Sequence, residues 1–399
     1  MSGSARQGAP AVRPPPLWLP ALFAFSGTFA MHVFVPALTI AAEDLSASAG
    51  TVQMAVSLYI LGLAGGQLVY GPVSDRFGRR PLLMAGLALY TVAGIAAAMA
   101  PNVEALVAAR LFQALGGCAG LVLGRTIVRD TASPEDTARR LALMNLMMTV
   151  GPAVAPIVGA ALAAAFGWRS IFDALSLLGL VNLLLAWRLL PETRPPGAGA
   201  GGAFLRHCAG LLRSRAFIGY AIGGGCATTA MYAFVASAPF IFVHTLGRPA
   251  HEAGIYLALL VSGVWLGSAL ASRLIGKVAL AKLLLRANLV SVLAACVLLT
   301  AVLAGQLSVA LTVGAMFAYT VGVGIAAPAS LTQAMGVDPR VIGSASGLYG
   351  CTQMAVGALC TALVGIGGDP ALMAAAILVG AGILGQACFR MALRAQKRG

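Results

Sequence analysis

Two runs without a formal charge, residues 51–70 and 81–100, flank the charged stretch GPVSDRFGRR at 71–80. A helix of about 20 apolar residues crosses the hydrocarbon core of a bilayer. The charged stretch therefore reads as a tight turn between two membrane-spanning helices, with Gly71, Pro72 and Gly78 breaking the helical pattern. Arg76, Arg79 and Arg80 put three positive charges on one membrane face, which marks that face as cytoplasmic. Asp75 stands among them and is expected to be paired. It is either the neutralising acid of a positive-inside anchor or part of a charge clamp that holds neighbouring helices in one conformation and releases them in another.

The same alternation continues along the chain. Spans are expected at 17–42, 51–70, 81–100, 103–128, 141–166 and 168–190. After a basic, Pro- and Gly-rich linker at 191–215, six more follow at 216–243, 253–275, 283–304, 307–335, 341–366 and 371–393. The first is too long for the core of a signal peptide. The chain thus divides into a disordered cytoplasmic segment 1–16, a six-helix unit 17–190, the linker, a second six-helix unit 216–393 and a cytoplasmic tail 394–399. Weak repetition relates the halves: FVPAL at 34–38 resembles SAPFI at 237–241, and Asp338–Arg340 falls where 133–140 would map.

Only 10% of the residues are charged, against about 25% in a soluble domain, so the class is an all-α integral membrane protein. The net charge of +14 would suggest nucleic acid on a soluble chain. Here Arg169 and Arg248 fall outside and Arg110 within the bilayer, leaving 23 of the 26 Lys and Arg on the inner side. That asymmetry explains the charge through topology and excludes a nucleic-acid partner. The seven cysteines form no CxxC pair and no His/Cys cluster, so neither a metal site nor a disulfide framework is expected. No Walker A, G-x-S-x-G or H-E-x-x-H sequence occurs. The SASG at 344–347 has no histidine downstream. No enzyme and no cofactor are expected, and energy would come from an ion gradient.

Three motifs carry a family resemblance. GPVSDRFGRRP resembles the loop after the second helix of major facilitator superfamily (MFS) transporters through Gly71, Asp75, Gly78, Arg79 and Arg80, with Val73 in place of the usual leucine. ARLFQALGGCAG, through Arg110, Gln113, Gly116 and Gly117, resembles the fourth-helix motif of proton-coupled drug exporters. It continues into Val128, Arg129 and Asp130, similar to the bicyclomycin and chloramphenicol (Bcr/CflA-like) branch. GPAVAPIVG resembles the antiporter motif at Gly151, Pro152, Ala155, Pro156 and Gly159. The resemblance implies twelve transmembrane helices in two pseudo-symmetric six-helix bundles, with the substrate site between them. It further implies a monomeric drug:proton antiporter of the cytoplasmic (inner) membrane, working by alternating access. Arg129 and Asp130 become partners of the Asp75 clamp.

Titratable groups inside the spans are few, and such groups are costly there and usually functional. Asp173 is the one acid away from the predicted loops and helix ends, about 7 Å into helix six. Arg169, one turn earlier, is placed to pair with it, and a rim salt bridge is favoured over a transport role. Arg110 lies about 10 Å inside helix four, within reach of Gln113. His32 stands in MHVFVP where many Bcr/CflA-like exporters carry an acid. An imidazole there either carries the proton or packs as a neutral hydrogen-bond donor. Tyr59, Tyr232, Trp265, Tyr319 and Tyr349 are aromatic residues that would suit stacking on a drug in a cavity. Few acids in the spans point to a neutral, zwitterionic or weakly charged small-molecule substrate. A transporter for an endogenous metabolite and a non-transporting receptor or scaffold stay open as alternatives.

Overall fold

The computed structural model describes residues 15–132, 134–194, 202–275 and 277–396. The expectations for the segment before Pro15 and for the tail beyond Gln396 lie outside the described residues. Fifteen helices are described: α1 (Trp18–Val33), α2 (Leu38–Asp44), α3 (Ala49–Phe77), α4 (Arg79–Ala98), α5 (Val103–Thr131), α6 (Pro134–Phe166), α7 (Arg169–Leu189), α8 (Gly202–Leu211), α9 (Arg215–Thr228), α10 (Met231–Phe240), α11 (Ala250–Leu274), α12 (Leu280–Leu303), α13 (Val309–Met335), α14 (Ile342–Val364) and α15 (Pro370–Gln396). Twelve segments are long and apolar enough to cross a membrane, α1–α2 forming one of them and α9–α10 another.

Both paired segments leave regular α-helix near a proline, and the second has a further break at Thr229–Ala230, between α9 and α10. Between α1 and α2 a single 3₁₀ turn, Val35–Ala37, contains Pro36. Pro239 lies in α10, and a π turn, Ile241–Thr245, follows. Proline removes a backbone donor and crowds the preceding turn, so the two halves break their first span at matching places.

The charged stretch at 71–80 is not a loop. α3 runs unbroken through Gly71 and Pro72 to Phe77. Ser74 Oγ donates to the Gly71 carbonyl at 2.8 Å, one turn back in the same helix. The whole reversal is made at Gly78, whose φ of 98° lies where a side chain is strained. α4 then starts at Arg79, two residues before the expected point. α6 begins at Pro134, well ahead of the expected 141. The 191–215 connection contains α8, and the part of the expected linker at 195–201 lies outside the described residues. α15 reaches Gln396, into the stretch assigned to the tail.

Helices α1–α7 pack into one bundle and α9–α15 into another, with α5 and α13 each ringed by neighbours of their own half. Between the bundles, α3 lies along α14 and α6 along α11. At the end away from the arginines the halves are in close contact. A Cβ on Gly254 of α11 would stand 2.6 Å from the Pro156 carbonyl of α6, so only glycine permits this approach. Gln53 Nε2 donates to the Ala236 carbonyl of α10 at 3.4 Å across the same boundary.

Towards the arginine-rich end the two seams differ: α14 stays on α3, with Gly350 against the Gln67 side chain and Leu68 packed on the core of the second bundle, whereas α6 and α11 carry exposed residues. Trp265 lies eleven residues beyond Gly254, three turns along the same face of α11, and is 46% exposed. Asn145 lies eleven residues before Pro156 on α6 and is also exposed. On the α6–α11 side, then, the close approach at Gly254 gives way to exposed residues at the arginine-rich end.

Candidate functional site

Arg110 sits at the centre of the first bundle with no exposed surface. Nη1 donates to Gln113 Oε1 at 2.7 Å, one turn on in α5, and Nη2 to the Ala30 carbonyl of α1 at 3.0 Å. Its guanidinium stacks on Tyr59 with 3.9 Å to the ring centroid, while Phe34 and Phe172 flank it at 5.8 and 5.7 Å. A cation at mid-membrane costs about 3 kcal/mol even on the lenient insertion scale. Two charge-assisted hydrogen bonds at about 2 kcal/mol each and a desolvated cation–π contact of about 2 kcal/mol offset that cost without a carboxylate. Tyr59 is itself fixed by donating to the Gly27 carbonyl at 2.8 Å. Arg Nε and Gln113 Nε2 stay buried without a partner.

His32 occupies the next turn of α1 after Ala30, at the boundary between bundles. Nδ1 donates to the Thr28 carbonyl at 2.9 Å, which fixes the tautomer and leaves Nε2 as a proton acceptor. Nε2 is buried and has no partner. Tyr232 of α10 meets the imidazole edge to face, with 5.9 Å between ring centroids. The group therefore touches both halves, two residues from the carbonyl that anchors Arg110 and three before the 3₁₀ break.

The clamp centres on Arg79 rather than Asp75. Arg79 Nη1 reaches Asp75 Oδ1 at 2.6 Å, Nε reaches Asp130 Oδ2 at 2.9 Å, and Ser74 Oγ accepts from Nη1. Arg79 and Asp130 are only 4% and 7% exposed, while Asp75 is 38% exposed. Arg129 stays at the surface, 3.8 Å from Asp130. Arg76 lies over the ring of its neighbour Phe77. Arg80 Nη2 donates to the Trp187 carbonyl at 2.7 Å. Glu192 adds a fourth element: its carboxylate takes the backbone N–H groups of Arg79 and Arg80 at 2.9 and 3.2 Å, capping α4 from a loop over a hundred residues away. The charged groups named here all belong to the first bundle.

Helix α6 continues through Pro152 and Pro156. Gly151 meets the Phe25 ring, and Gly159 lies so close to the Val33 carbonyl that a Cβ would collide with it. Ala155 is fully buried. The motif thus fits α6 against α1 on one side and α11 on the other.

Several expectations fail. Asp173 does not pair with Arg169; it is exposed, and Arg169 instead binds Asp44 at the end of α2 and stacks on Trp168 at 4.3 Å. Tyr59, Tyr319 and Tyr349 are buried inside their own bundles instead of lining a space between them. Tyr349, for instance, shares a 2.7 Å hydrogen bond with Ser330. Of the five aromatics only Tyr232 and Trp265 lie on the surfaces where the halves face each other. His244 falls within the seventh span and His251 within the eighth, making His32 one of three span histidines, although His244 and His251 are exposed. Arg125, left with the loop charges in the sequence tally, stands inside α5 and is exposed. Among the described residues no group of three His, Cys, Asp or Glu is placed to hold a metal ion.

The chain matches the family model described as Major Facilitator Superfamily over residues 20–361. It is 32% identical to the MFS-type transporter YdgK of Bacillus subtilis (strain 168), over 92% of each chain. It is 26% identical to a bicyclomycin resistance protein homolog of Haemophilus influenzae (strain ATCC 51907 / DSM 11121 / KW20 / Rd), over 84% of this chain and 85% of that one. The crystal structure of a D-xylose–proton symporter superposes with a TM-score of 0.74 at 17% identity, covering 92% of this chain and 96% of that one, which speaks to the fold alone. Two six-helix bundles in close contact at one end, built from a sequence that matches the family along most of its length, leave one assignment: this multi-pass membrane protein belongs to the Major Facilitator Superfamily of small-molecule transporters.

Proposed function

We propose that the protein is a proton-driven exporter of small amphipathic drugs, acting as a monomer in the cytoplasmic membrane with its arginine-rich end and both termini inside. The observation that carries the reading is His32: a buried imidazole with one open nitrogen, lodged where α1 meets Tyr232 of the other bundle. The orientation rests on the arginine asymmetry, and the choice of drugs on the bicyclomycin-resistance relative.

The close approach of Gly254 to Pro156 supports a closed outer end, and the exposed residues of α6 and α11 at the arginine-rich end support an entry on the cytoplasmic side. Substrate enters from the cytoplasm between Trp265 and the exposed face of α6. Exposed Arg125 in α5 disfavours a cationic substrate and suits a neutral, zwitterionic or weakly acidic one. Opening of the outer end separates α1 from α10 and withdraws Tyr232 from His32. Water then reaches Nε2, and the imidazole takes a proton from outside. Reclosure returns the ring to a pocket where the Thr28 carbonyl already holds Nδ1–H and nothing accepts the second proton, so it leaves toward the cytoplasm. Arg110, tied to Ala30, fixes the stretch of α1 that carries the histidine.

His32→Gln keeps a hydrogen-bonding side chain but cannot titrate. In inverted vesicles it should lower pH-gradient-driven drug uptake by at least about tenfold while leaving drug binding unchanged. Full coupling in the variant would place the proton site elsewhere. Wild-type flux confined to a metabolite would favour the metabolite transporter. Specific binding without flux of any compound would favour the receptor.

A further inference from the structure

A second cavity, distant from His32, lies at the arginine-rich membrane face of the second bundle. It encloses about 500 Å³ between α8 and the α13–α14 connection. Arg206, His207 and Ser214 line one wall, and Asp338 and Arg340 the other. Its volume falls in the range of small-molecule sites, about 300–1,000 Å³.

The cavity exists because α8 is amphipathic. Phe204, Cys208 and Leu211, at i, i+4 and i+7, pack on Phe217, Tyr220, Leu348 and Phe389 of the second bundle. Arg206 and Arg213 stay exposed on the other face. His207 Nδ1 lies 3.4 Å from Ser344 Oγ in the first turn of α14, pinning α8 over that helix end.

The wall chemistry suits a phosphate. Asp338, the one acid, is consumed by a two-pronged contact with Arg340, at 3.0 Å to Nε and 3.2 Å to Nη2. Arg340 is 88% exposed and keeps Nη1 for another acceptor. The Arg206 guanidinium and the His207 imidazole add donors. Ser214 Oγ accepts from the Phe217 N–H at 3.3 Å, leaving its O–H to donate. Guanidinium groups with adjacent hydroxyl and imidazole donors match phosphate oxygens in geometry and charge. Exposed Leu212 adjoins the cavity where α9 enters the membrane, which places an apolar surface beside the polar one.

We infer that this cavity binds the phosphodiester headgroup of an anionic phospholipid, with its acyl chain along Leu212. The headgroup ties α8 to the start of α14, the helix that runs along α3 of the first bundle. Lipid binding would thus stiffen the second bundle at the end where α14 meets Gln67 of α3.

Native mass spectrometry of the full chain in detergent tests this. The wild type should retain phosphatidylglycerol in preference to phosphatidylethanolamine of the same acyl composition. Arg206→Gln with Arg340→Gln should weaken phosphatidylglycerol retention by roughly thirtyfold, following about 1 kcal/mol for each arginine facing an anionic lipid. Arg139→Gln with Arg188→Gln removes two exposed arginines elsewhere and should leave retention unchanged. Equal retention of the two lipids by the wild type, or an equal fall in both double variants, would overturn the inference. Thermal protection by inorganic phosphate without protection by phosphatidylglycerol would overturn the lipid assignment.

Discussion

The turn after α3 and the turn after α11 are versions of one design with different charges. SDRFGRR at 74–80 aligns with SRLIGKV at 272–278, serine with serine and glycine with glycine. In both, the serine hydroxyl donates to the carbonyl three residues back, Ser74 to Gly71 and Ser272 to Ala269, each at 2.8 Å. The acid differs: Asp75 in the first turn is replaced by Arg273 in the second. Arg79 is buried against two carboxylates, whereas Lys277 and Arg273 are exposed. A backbone bridge between Ile275 and Val278 closes the second turn. Reversing the chain at this face therefore does not require the charges. Among the described residues the buried Asp75–Arg79–Asp130 set, which joins α3, α4 and α5, has no counterpart at the second turn.

The most forceful way to break this comparison is to remove the central cation. Arg79→Ala strands Asp75 and Asp130 and should cost about 3 kcal/mol, less than a fully buried pair because Asp75 still reaches solvent. Unfolding in detergent would show it, with transport falling in parallel, while Lys277→Ala leaves both unchanged. Similar losses in the two variants would make the turns equivalent. Glu192→Gln sharpens the contrast on a smaller scale. It keeps an acceptor but removes the charge at the start of α4, and should cost about 1 kcal/mol of stability. The start of α12 has no such side-chain cap to lose.

The smallest effect is expected at Asp338, whose carboxyl is held below the usual carboxylate range chiefly by its hydrogen bonds from Arg340. A depressed folded-state pKa contributes stability above the unfolded value, near 4, and loses it as the pH falls through the folded one. Asp338→Asn and the wild type should thus converge at strongly acid pH. Above it they should differ by no more than a slight shift in melting temperature, because the pair is exposed.

The spans were legible because a bilayer demands about 20 apolar residues and tolerates few charges. Arg110 with Gln113 was legible because a three-residue spacing puts both on one helical face. What escaped the sequence depends on contacts between distant segments. Arg169 had a near partner at Asp173 by spacing, yet Asp44 from the opposite side of the loop layer takes it. Gly71 and Pro72 read as breakers, but α3 runs through both to Phe77 and the chain reverses only at Gly78. The cap that Glu192 supplies to α4 has no local signal at all. Helix α8 was hidden by Pro and Gly around it, and its Phe204–Cys208–Leu211 spacing was the clue available.

The contact of Gly254 with the Pro156 carbonyl has a mechanical consequence. It joins two stiff rods at a point with no side chain to crush, so in any rocking of the halves it would serve as a fulcrum. Trp265 lies about 16 Å down its rod at 1.5 Å per residue. A tilt of about ten degrees about that point would swing the indole through about 3 Å, one layer of water. Small angular play at a glycine thus becomes admission or exclusion of solvent at the far end of the lever.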